Sequence, residues 1–203
     1  MPLAFPSHQG LILPLWARWP ERFNGLALCI GAATPDIVDG AWGLLRRDMG
    51  QGLGHSLVGQ FVLCVPAGLA VTWFLRAIWR PNNPKSWKRV LDNQSPRGGL
   101  FRDAGSVLVG SLSHIVFDFF THGNFLALFP WYEKKDLFPA WWYHEFGRFP
   151  VPLYREPYPI ATHFLVWLAF TVLGAIVFVR TLRRQVAAVT PGSGGAPGPS
   201  PRR

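Results

Sequence analysis

Apolar residues run nearly unbroken for the length of a bilayer at two places in the chain. "SLVGQFVLCVPAGLAVTWFL", Ser56–Leu75, and "YPIATHFLVWLAFTVLGAIVFV", Tyr158–Val179, each approach the roughly 20 residues that a transmembrane helix needs. A third stretch, "AGSVLVGSLSHIVFDFFTHG", Ala104–Gly123, has the length but carries His114, Asp118 and His122 at intervals of four. A fourth, "FNGLALCIGAATPDIVDGAW", Phe23–Trp42, is interrupted by Pro35, Asp36 and Asp39. The piece before it, "LILPLWARW", is too short to span and is expected at the interface. This pattern predicts an all-α, integral membrane helical bundle with three or four transmembrane helices. The bundle is expected over residues 1–180, followed at 181–203 by a basic, Gly/Pro-rich tail that is expected to be disordered.

Composition agrees with a membrane protein. Charged residues make up 15% of the chain, well under the roughly 25% of soluble domains. The net charge of +9 does not point to nucleic acid, because no basic stripe interleaved with aromatics is present. The basic residues instead cluster after long apolar runs, seven in Arg76–Arg102 and five beyond Val179. By the positive-inside bias both clusters are cytoplasmic, which places Arg46–His55 and Gly123–Pro157 outside. The aromatic-rich Gly123–Pro157 is expected to cover the outer face as a lid. Cys29 and Cys64 stand in apolar context and read as small hydrophobic residues, with no CxxC or disulfide framework. The N-terminus lacks the features of a signal peptide, so His8 is expected in the mature protein.

In this topology the polar interruptions gather toward one side of the membrane. His55 falls at the outer mouth of its helix, Asp36 near the outer end of its segment, and His122 at the outer end of the third, with His114 and Asp118 deeper. His8 fits only if residues 9–35 form a shallow helical hairpin; a full crossing at Phe23–Trp42 leaves it inside. Ionisable groups cost roughly 2.5–3.5 kcal/mol each to insert, so they face a partner or a cavity. Imidazoles with carboxylates, and no Lys or Arg at the same depth, suit a divalent cation such as zinc. His114 and Asp118, four apart on one helix face, can deliver a nitrogen and an oxygen to one ion. Asp36 and His55 complete four ligands, and His8 or His122 is placed to hold a second ion.

The order "SH" near the start, "GAATPD", "GHSLVG" and "GSLSHIVFDFFTH" resembles the bacterial membrane family called domain of unknown function 4184, over roughly Met1 to Val179. That family is similar in turn to membrane-bound metal-dependent hydrolases of bacterial inner membranes. Both are similar to the all-helical zinc-dependent phospholipase C fold. The resemblance implies a first metal at Asp36, His55, His114 and Asp118, with Asp118 bridging to a second ion that His8 also holds. His122 is a candidate for the remaining position. The soluble enzymes add a later HxxxE helix, and here His163 is followed four residues on by Trp167.

Plainer readings stand beside these. The His/Asp set is also compatible with a polar network that pins helices together, worth about 0.6 kcal/mol per contact. His8 and His122 also suit helix-end capping, His144 an exposed place, and His163 a packing role. Asp39 reads as an orienting partner for a ligand imidazole or as a solvated end. A bis-histidine haem site leaves Asp118 unexplained. The leading expectation is a multi-pass cell-membrane protein in contact with the lipid bilayer, its site facing outward and its tail cytoplasmic. It would be a metal-dependent hydrolase of a phosphoester or lipid-like substrate, with Asp36 orienting or deprotonating the attacking water. The alternative is a non-enzymatic protein with a structural or ion-binding core.

Overall fold

The computed structural model describes residues 4–46, 52–78, 99–121, 138–150 and 157–189. Helices α1, α2 and α3 span Ala4–Arg18, Gly25–Gly31 and Thr34–Arg46. A 3-10 turn at Leu53–His55 leads into α4, Leu57–Ile78. Helices α5 and α6 cover Gly99–Thr121 and Thr162–Val189. His122, the basic stretch 79–98, much of the aromatic segment (123–137 and 151–156) and residues 190–203 lie outside the described residues.

The chain forms an all-α membrane bundle in which α4, α5 and α6 are long and apolar enough to cross a bilayer. At 1.5 Å per residue, α4 is about 33 Å long, close to the roughly 30 Å hydrocarbon core. Their outward surfaces are apolar, with Phe61, Val62, Phe74, Leu165 and Val172 exposed. Such surfaces need lipid rather than water around them.

The interrupted segment Phe23–Trp42 is not a single span. It breaks after Gly31, and Pro35 then sits in the first turn of α3, where its missing N–H costs no helical hydrogen bond. Helices α1 and α2 form a hairpin that turns through Trp19–Asn24, as the alternative reading of residues 9–35 expects. Asn24 caps α2 by accepting from the Ala27 N–H at 3.0 Å, and its own N–H donates to Ser106 Oγ of α5 at 2.9 Å. "LILPLWARW" belongs to α1, with Leu13 and Trp16 buried and packed with Phe178, Leu182 and Val186 of α6. Leu13 and Trp16 are taken up by helix packing, while Pro14, Arg18 and Trp19 remain exposed.

Close backbone approach holds the hairpin in place. A Cβ on Gly10 would overlap the Gly174 carbonyl, and one on Gly174 would overlap Ser7, so α1 and α6 meet backbone to backbone. On the other arm, Gly31 abuts Val107 and Gly110 abuts Leu28 in the same way. The described part of the aromatic segment holds a 3-10 turn, Ala140–Tyr143, and strand β1, Glu145–Phe149. Strand β1 pairs antiparallel with β2, Tyr158–Ala161, just before α6.

Candidate metal centre

Three elements deliver four side chains to a single point. Asp36 comes from the first turn of α3, His55 from the end of the 3-10 turn, and His114 and Asp118 from adjacent turns of one face of α5. One atom from each of these four residues lies within 4.8 Å of the other three, a group able to hold a metal ion. His55 and His114 are fully buried and Asp118 is 2% exposed, whereas the Asp36 side chain is 16% exposed. The ligands are thus sealed on three sides and open beside Asp36.

Five of the six separations within the group are close to those of a tetrahedral site. His114 Nε2 lies 3.1 Å from Asp118 Oδ2 and 3.6 Å from Asp36 Oδ1. His55 Nε2 lies 3.2 Å from Asp118 Oδ2, 3.5 Å from Asp36 Oδ1 and 3.2 Å from His114 Nε2. Four ligands about 2.0–2.2 Å from a central ion stand about 3.3–3.6 Å from one another, so the arrangement needs little adjustment to close on one.

The opposite ring nitrogens fix which atoms face the centre. His55 Nδ1 lies 2.6 Å from Asp39 Oδ2, and His114 Nδ1 lies 2.8 Å from the Ala32 carbonyl oxygen. Carboxylate and carbonyl oxygens only accept, so both Nδ1 atoms carry hydrogen and donate. In the neutral rings both Nε2 atoms then present lone pairs to each other across 3.2 Å. That contact is repulsive unless a positive charge lies between them. Burial opposes a charged imidazole, yet hydrogen bonds to Asp118, Asp36 and Asp39 more than offset it and raise the His55 pKa well above 6.5. Burial pushes the Asp36 carboxyl up, and the hydrogen bonds from His114 and His55 outweigh it and hold it below the usual carboxylate range. The cluster draws one cation to its centre, a proton or a metal ion.

Asp39 does more than end a helix. Its carboxylate accepts from the Gly52 N–H at 2.7 Å and the Gly54 N–H at 2.8 Å as well as from His55, fixing the loop that carries the imidazole. A Cβ on Gly54 would fall 2.7 Å from Asp39 Oδ1, so this loop requires glycine there. From the far side, Gln60 Nε2 donates to the Gly54 carbonyl at 2.5 Å and the Cys64 thiol donates to it at 3.4 Å. Gln60–Cys64 is a π-helical turn, wider than an α-turn, which brings both side chains under the loop. The sequence reading missed Gln60 and took Cys64 for a packing residue alone. The available signal was a lone amide inside an apolar span.

His8 stands beside the four rather than among them. Its Nε2 is 3.4 Å from Asp118 Oδ1 and its ring lies 4.1 Å from that of His114. His163 is buried with Nδ1 3.3 Å from the Trp142 carbonyl, a packing histidine as expected, and His144 is exposed.

A helical membrane bundle with a buried His/Asp cluster is the class that fold and site define. The chain belongs to the family described as Domain of unknown function (DUF4184), whose model matches residues 1–189. No curated protein and no solved structure matches it.

Proposed function

We propose that the cluster is a divalent-metal centre, best suited to zinc, in a membrane-bound hydrolase that acts on a phosphoester or lipid-like substrate. The observation that carries this reading is the 3.2 Å approach of two imidazole Nε2 atoms whose Nδ1 atoms are both engaged as donors. Two carboxylates complete a donor set of the kind that binds zinc. When bound, a divalent ion supplies Lewis acidity toward water and a phosphoryl oxygen. His55, His114 and Asp118 would hold it, and Asp36, the exposed member, would leave the fourth position to water and orient that water or take its proton. The position of His8 beside Asp118 Oδ1 supports a role in a second ion shared through Asp118. The basic residues past Ile78 and Val179 support a cytoplasmic tail and a site directed outward.

The depth of burial also favours a second reading, a non-catalytic ion-binding or structural core, and one series of measurements separates the two. The full-length protein is purified without chelator, its zinc, manganese and iron are measured, and phosphodiester and phospholipid turnover is assayed. Stoichiometric metal with turnover, both lost in His114→Ala and Asp118→Ala, supports the hydrolase. Metal without turnover supports the ion-binding core. A wild-type protein that stays metal-free after reconstitution overturns the metal centre.

A further inference from the structure

The open side of the cluster faces α3, and α3 has its polarity inside out. Thr34 and Asp39 are buried, while Ile37 is 47% exposed, Trp42 54% and Leu45 79%. In water such a helix would be turned over. Its depth explains the inversion. Thr34, the first residue of α3, packs against Gly68, whose Cβ would stand 3.1 Å from Thr34 Oγ1. Gly68 is at the middle of the spanning helix Leu57–Ile78, and so within a few Å of the bilayer midplane. Counting 1.5 Å per residue from Thr34, Ile37 stands at most about 5 Å from that level and Trp42 about 12 Å. Asp39 of α3 binds the Gly52–His55 loop that precedes α4, so α3 runs from the level of Gly68 toward the Leu57 end of that helix. The hydrocarbon extends about 15 Å from the midplane, which leaves Ile37 inside it and brings Trp42 toward its edge. The exposed face is also continuous with the lipid-facing residues Val58, Phe61 and Val62 of α4.

Asp36 precedes this face, and Gly40, one turn beyond it, has open space where a side chain would stand. From this geometry we infer that the metal centre opens sideways into the bilayer beside Gly40. Its substrate is then an amphiphile, a phosphate ester whose acyl chains stay in the membrane while its headgroup reaches Asp36. This inference rests on the metal-centre reading, and the experiment keeps the two apart. Full-length protein bearing a nitroxide at Ile37→Cys is reconstituted in phosphatidylcholine–phosphatidylglycerol vesicles. The label is expected to collide with dissolved oxygen more than with a water-soluble nickel chelate, with or without metal at the site. Preferential collision with the chelate overturns the inference.

The route is then read with Mn2+ as the probe ion, its stoichiometric uptake being the check on the metal centre itself. Mn2+-loaded protein is expected to broaden the spectrum of a phosphatidic acid spin-labelled on its acyl chain. A spin-labelled, water-soluble phosphate ester should stay sharp. Gly40→Leu, which fills open space, is expected to bind Mn2+ as wild type does and to reduce the lipid broadening at least tenfold. Broadening of the soluble ester instead, or lipid broadening unchanged in Gly40→Leu, overturns the lateral route. Absent Mn2+ uptake overturns the metal centre, and the inferred substrate with it.

Discussion

Helices α4 and α5 enclose two buried polar sets, one toward each end, and the two are built on opposite principles. Toward the Ile78 end, Arg76 reaches Asp103 with two hydrogen bonds, 2.5 Å from Nη1 and 3.1 Å from Nη2. One cation meets one anion in fork geometry, and the pair is electrically complete. Toward the other end, His55 and His114 meet Asp36 and Asp118, with Asp39 behind, and the two imidazoles turn lone pairs toward each other. That set is complete only with a cation. Buried polarity therefore has two meanings in this bundle: the first set joins helices, and the second is a group able to hold a metal ion.

The sharpest way to break the contrast is to remove metal. With metal at a thousand times its Kd, the wild type should gain about 4 kcal/mol of stability that a chelator reverses. His114→Ala should show no such gain, while the Arg76–Asp103 pair responds to neither treatment. Denaturation with and without chelator measures this. Arg76→Ala should cost about 3 kcal/mol by stranding the Asp103 carboxylate, with metal content unchanged. Loss of metal in that variant would show that the two sets are not independent.

Smaller effects sharpen the picture. Asp39→Asn keeps the shape but weakens the acceptor behind His55, and should cost 10–100-fold in metal affinity by competition titration. Metal uptake should be weaker at acid pH. His55 holds its proton to well above pH 6.5 in the metal-free cluster, so binding must displace it, and affinity rises with pH until that pKa is passed. Calorimetry in buffers of different ionisation enthalpy reads the released proton. Gln60→Leu, which removes a donor to the Gly54 carbonyl, should cost about 1 kcal/mol, seen as a few-fold faster loss of metal.

The three spanning helices were legible because their apolar length leaves few other places to go. The pair His114 and Asp118 was legible because helical geometry alone puts positions four apart on one face. Asp36 and His55 were legible as polar residues at breaks in apolar runs, though nothing local says that two such breaks meet. The rest depends on contacts between distant elements. His8 comes to the cluster only because α1 folds back along α6, a packing set by Gly10 and Gly174, 164 positions apart in the chain. The acceptor for His114 Nδ1 is the backbone of Ala32, to which residue type gives no clue. The π-turn at Gln60–Cys64 leaves no periodic signature over five residues.

The seating of α1 on α6 also sets an order of events during synthesis. Helix α1 leaves the ribosome well before α6, on which it docks. At about 5–20 residues per second, Gly174 follows Gly10 by on the order of ten seconds. Until then Leu13 and Trp16 have only the α2 side of their cluster, Leu26, Leu28 and Cys29, to pack against. His8 is thus made well before the helix that seats it, so any chemistry that depends on it is withheld until α6 has been synthesised.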